Sequence, residues 1–139
     1  MKKIIFLIAV VIACTQAFSQ TAAVEKAAPN PNAPKAKFDK MVNDFGEIAQ
    51  GIPRTAEFKL TNEGKEPLLI QNARASCGCT NLKYSQEPIL PGKSTIISAT
   101  YNAAAVGPFT KTITVTTNAD SSPVVLQIKG TVAKKEEGK

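Results

Sequence analysis

Apolar side chains recur at every second position along residues 38–132, and turn residues break that alternation again and again. A period of two puts alternate side chains on opposite faces of an extended chain, so the stretch reads as strands with one buried face. Residues 56–61 put Phe58 and Leu60 on one side, Glu57 and Lys59 on the other. Residues 94–101 put Ile97, Ala99 and Tyr101 on one face. In 109–117, the file Phe109, Lys111, Ile113, Val115 and Thr117 is mixed in polarity, but Ile113 and Val115 point inward against Thr112, Thr114 and Thr116. Val124, Leu126 and Ile128 alternate with Val125, Gln127 and Lys129.

Turn chemistry separates these runs. Asn62-Glu63-Gly64-Lys65, Pro91-Gly92, Gly107-Pro108 and the segment 118–123 supply it, each with residues suited to tight backbone turns. Leu68-Leu69-Ile70 is a continuous apolar run, which predicts a short strand covered on both sides. With residues 38–45 as a first strand, six or seven strands result. β-Branched residues crowd them, and only Ala103-Ala104-Ala105 has room for a single helical turn. Strands at this spacing predict an all-β, immunoglobulin-like sandwich of about seven antiparallel strands.

The ends differ from this middle. Lys2 and Lys3 precede an unbroken apolar run over 4–13 and a small, polar stretch over 14–20. That order is a secretory leader, and the run is about half what a membrane-spanning helix needs. Two ends of the leader compete. Ala17-Phe18-Ser19 places small residues before a cut that leaves Gln20 first, giving a signal peptide over 1–19. Val11-Ile12-Ala13-Cys14 resembles a lipobox, in which Cys14 would carry a lipid anchor. Residues 20–37, rich in Ala with Pro29, Pro31 and Pro34, read as a flexible linker, and 133–139 as a charged tail. The expected setting is the periplasm or the outside of the cell, or else a membrane-anchored lipoprotein.

The net charge of +6 belongs mostly to those ends. Residues 38–132 hold nine Lys and Arg against eight Asp and Glu, a balance with no electrostatic footprint for nucleic acid. There is no histidine, so no imidazole base and no histidine metal ligand. The carboxylates are dispersed, and no glycine-rich phosphate loop is present. No catalytic residue and no cofactor is predicted.

One element could carry chemistry, Cys77-Gly78-Cys79. A bend at Gly78 brings the two cysteines within bridging range. So small a ring contributes roughly 1.6 kcal/mol in a loop-entropy account, a weak staple. Three readings stand: a local disulfide or buried thiol pair that shapes the loop; a labile dithiol, with Arg74 and Lys83 near in sequence; or soft-metal binding by Cys77 and Cys79, which lacks further ligands.

Several longer motifs recur together: Phe45-Gly46-Glu47-Ile48 with Gly51, Phe58-Lys59-Leu60-Thr61-Asn62-Glu63-Gly64, Pro67-Leu68-Leu69-Ile70 and Ser76-Cys77-Gly78-Cys79-Thr80. Pro91-Gly92-Lys93-Ser94, Gly107-Pro108-Phe109-Thr110-Lys111 and Ile128-Lys129-Gly130-Thr131-Val132 complete the set. On these the chain resembles the bacterial exported domain-of-unknown-function 1573 family, related to immunoglobulin-like domains of the hydin and abnormal-spindle group. The resemblance covers residues 44–132 and implies a sandwich and export, with no particular activity. The expected function is a non-catalytic binding or scaffold module of the cell envelope, its partner an envelope protein or glycan. The alternative is a thiol-disulfide or soft-metal protein acting through Cys77 and Cys79.

Overall fold

A computed structural model describes residues 30–120 and 122–134. The leader, Cys14, both cut sites and the last five residues lie outside the described residues. Eight strands form two four-stranded sheets. They are β1 (Ala36–Phe38), β2 (Val42–Ala49), β3 (Arg54–Asn62), β4 (Ile70–Ala75), β5 (Thr80–Lys83), β6 (Ser94–Tyr101), β7 (Gly107–Thr117) and β8 (Val124–Ala133). One sheet runs β1-β3-β6-β5 and the other β2-β8-β7-β4.

The period of two explains why the sheets close on each other. Phe58, Leu60, Ile97 and Ala99 from the first sheet are buried with Ile113, Val115, Leu126 and Ile128 from the second. Those two groups form the core. Each such Phe, Leu, Ile or Val side chain contributes roughly 1.5–3 kcal/mol on burial. Glu57, Lys59, Thr112, Thr114 and Lys129 take the opposite faces of their strands, exposed or only half-buried.

The strand inventory differs from expectation in four places. The single first strand expected over 38–45 is two strands on different sheets. Asp39 ties off β1, its amide donating to the Lys59 carbonyl and its Oδ1 accepting from the Lys59 and Lys40 amides. The chain then crosses to the second sheet, where β2 lies parallel to β8. One pair in the sandwich is therefore parallel, against the all-antiparallel expectation. β5 has no counterpart among the expected strands. The run Leu68-Leu69-Ile70 is not covered on both sides: Leu68 and Ile70 are buried and Leu69 is exposed. No helical turn forms at Ala103, which is buried in left-handed backbone, φ 52°.

Residues 30–37, expected as linker, hold to the sandwich. Pro34 is buried, and the Lys35 carbonyl accepts from the Glu63 amide at 2.9 Å. Asn62 anchors this segment from below. Its side chain is fully buried, donating to the Glu66 and Ile89 carbonyls and accepting from the Gly64 and Lys35 amides. Gly64 is required here, because a Cβ would lie 2.6 Å from Pro34 Cα and from Lys35 N.

Candidate functional site

The chain leaves the second sheet at Ala75 and enters the first at Thr80, so Ser76-Cys77-Gly78-Cys79 makes the corner between them. Cys77 and Cys79 are joined by a disulfide with Cα atoms 5.3 Å apart. Backbone bonds hold the corner on every side. The Ser76 amide donates to the Thr112 carbonyl at 2.9 Å, and the Thr112 amide returns a bond to Ser76 Oγ at 3.1 Å. The Thr80 amide donates to the Cys77 carbonyl at 3.3 Å, and the Asn102 amide to the Cys79 carbonyl at 3.1 Å. The corner is fixed to β7 and to the loop after β6 without help from the sulfur bridge.

The two cysteines are not equivalent. Both are half-buried, but Cys79 packs against the hydrophobic core. Cys77 Sγ lies 3.8 Å from the hydroxyl of the buried Thr80. Below the corner, Tyr101 stacks on Phe109 with ring centroids 4.1 Å apart, and Phe45 adds a tilted contact at 6.3 Å. Tyr101 is the register partner of Thr80, so this aromatic stack underlies the β5 end of the corner.

The two basic residues expected near the pair sit on the strands that flank the corner. Arg74 is exposed on β4, opposite Thr114, and Lys83 is exposed on β5, opposite Ser98. The register of β4 with β7 ends at Ala75 opposite Ile113, with Ser76 bonded to Thr112 just beyond. Among the described residues, no group of three or more His, Cys, Asp and Glu side chains gathers as a metal would need. No helix of the described residues is long and apolar enough to cross a membrane.

A second feature sits on β2. Between Asp44 and Glu47 the register with β8 slips, making a bulge with Gly46 at φ 63°. Asp44 Oδ1 accepts the Gly46 amide at 2.8 Å, which holds its carboxyl below the ordinary range, with Lys129 at 3.4 Å assisting. A shallow cleft of about 390 Å³ opens there between Asp44, Lys129, Thr110 and Thr131, with Phe109 and Gly130 beneath. Gly130 permits the bulge: a Cβ would stand 2.7 Å from the Gly46 carbonyl oxygen and 3.1 Å from the Phe109 ring.

Comparison with known proteins returns the same fold in different settings. A protein of unknown function from Porphyromonas gingivalis W83 superposes with a TM-score of 0.66 at 16% identity, over 76% of this chain and 50% of that one. The chain thus spans half the length of that protein. The seventh PapD-like (ASH) domain of human CEP192 gives 0.65 at 11% identity, over 80% of this chain and 94% of the domain. The VesB protease of Vibrio cholerae gives 0.57 at 13% identity, over 70% of this chain but 32% of the protease. At such identities the likeness is one of fold alone. No curated protein matches the sequence. Residues 36–132 match, from end to end of the sandwich, the family described as protein of unknown function DUF1573, and the chain belongs to that family.

Proposed function

We propose that this chain is an exported, non-catalytic binding module of the bacterial cell envelope, which docks an extended protein strand along the free edge of β4. The observation that carries the reading is the state of the four sheet edges. β1 has three residues and β5 four. β2 is longer but is broken by its bulge and carries Asp44 and Glu47, the devices by which proteins blunt an edge. β4 has a neighbour on one side only and carries no acidic residue; its register with β7 shifts between Ile70 and Asn72 and is regular from Asn72 to Ala75, where it runs on into the cysteine corner.

The Ser76–Thr112 hydrogen bond sets the alternation along β4. Residues 72 and 74 turn their backbone groups to β7, while Ala73 and Ala75 turn theirs outward. An added strand would bond to those outward groups. Arg74 is exposed beside them and makes neither ion pair of the described residues, so a partner strand carrying a carboxylate opposite it fits best. The likeness in fold to a PapD-like domain supports a binding role by analogy. Export rests on the leader over 1–19, and intact mass of the mature chain distinguishes a Gln20 start from a lipid-bearing Cys14.

The test is capture from an envelope extract on the immobilised mature chain, beside an Ala73→Pro variant. Proline removes an outward N–H and no bond to β7. Capture of the same protein should fall at least fivefold, the worth of one hydrogen bond at about 1 kcal/mol. Full capture by the proline variant rules out the β4 edge.

A further inference from the structure

We infer that Cys77 and Cys79 form a thiol-disulfide exchange site that takes dithiols on other exported proteins as its substrate. The inference goes beyond a purely non-catalytic reading and stands apart from the β4 edge, because it needs only the corner itself. Its first support is redundancy. Four hydrogen bonds to Thr112, Asn102 and within the corner fix the path from β4 to β5, and a ring spanning two residues adds little constraint to that path. The bridge can open while the sandwich stays closed.

The second support is the asymmetry of the two sulfurs. Cys79 packs on the core, which leaves Cys77 as the sulfur an incoming thiolate meets. The Thr80 hydroxyl, 3.8 Å from Cys77 Sγ, stands within reach to donate to a thiolate formed there.

The exchange balances in two steps. A partner thiolate attacks Cys77 Sγ; the Cys77–Cys79 bond breaks, and its electron pair leaves on Cys79 Sγ, which takes a proton from water. The partner is now joined to Cys77. Its second thiolate attacks the partner sulfur of that mixed disulfide and closes the partner's own bridge. Cys77 leaves as a thiolate, accepts the Thr80 hydroxyl bond and is then protonated. Two electrons and two protons have passed from the partner dithiol to this chain.

The full mature chain is equilibrated with glutathione buffers of graded ratio, quenched in acid, alkylated and weighed, while circular dichroism follows the sheets. We expect the bridge to open and close reversibly with the β spectrum and melting curve nearly unchanged. In single variants, Cys77 in Cys79→Ser should react with a disulfide probe severalfold faster than Cys79 in Cys77→Ser, because Cys79 packs on the core. Thr80→Val should reduce that advantage. A bridge that opens only in denaturant, a reduced chain that unfolds, or equal reactivity of the two cysteines overturns the proposal.

Discussion

Replacing Asn62 with alanine removes a buried amide that satisfies four backbone groups at once. Its nitrogen donates to Glu66 O at 2.7 Å and Ile89 O at 2.9 Å, and its oxygen accepts from Gly64 N at 2.8 Å and Lys35 N at 3.3 Å. Ile89 O keeps a second partner in the Leu68 amide. The other three lie where the site is only partly buried, so water replaces some of what is lost. At about 1 kcal/mol for each of the three groups left without a second partner in the fold, the sum is about 3 kcal/mol. That is a large share of a small domain's 5–15 kcal/mol, and it lowers Tm by roughly 15 °C. Urea unfolding followed by circular dichroism measures it. Asn118 is the control, because it makes the same kinds of bond, to Leu69 N and Pro67 O, from an exposed position. Asn118→Ala should cost no more than about 1 kcal/mol. A loss under about 1 kcal/mol for Asn62→Ala, or equal losses for the two, refutes the assignment of Asn62 as the post on which the 30–35 segment and the turn after β3 hang.

Other expectations are more local. Gly130→Ala presses a Cβ against the Gly46 carbonyl and the Phe109 ring, so it should destabilise by about 1–3 kcal/mol, read as a lower urea midpoint. Gly64→Ala should lift residues 30–35 off Asn62, and limited proteolysis should then cut near Lys35 or Lys37 far sooner than in the parent chain. The Asp44 carboxyl is held low, first by the Gly46 amide and then by Lys129. Its contribution is present above the ordinary Asp value of about 3.9 and is lost as pH falls through its own lower value. Asp44→Asn should flatten that part of the acid limb in Tm measured from pH 5 to pH 2. Replacing Cys77 and Cys79 with serine should lower stability by no more than about 1.6 kcal/mol; a larger loss makes the bridge a structural staple.

What alternation could disclose, it did. The inward files Phe58 and Leu60, Ile97 with Ala99 and Tyr101, and Ile113 with Val115 are buried as read. The failures share one cause: alternation states which face a side chain takes, not which sheet its strand joins. The inward positions shift from Ala36 and Phe38 to Asn43 and Phe45, an even-to-odd change at Asp39–Met41 that marks the crossing between sheets. It was legible only as a lapse within one supposed strand. β5 holds a single large apolar residue, Leu82, and its other inward residue is Thr80; four residues carry no period. It exists because the cysteine corner delivers it beside β6. At the corner itself, Cys77, Cys79 and the adjoining Thr80 were visible in the sequence, whereas the approach of the Thr80 hydroxyl to Cys77 Sγ came only with the turn.

Amide hydrogen exchange on the chain alone and with its captured partner bears most directly on a partner strand at β4. In the free chain, Asn72 and Arg74 amides should be protected by β7, with Ala73 and Ala75 exchanging fast. With the partner bound, protection should appear at Ala73 and Ala75. Protection arising instead on β2 or β5, or no change along β4, would contradict the account.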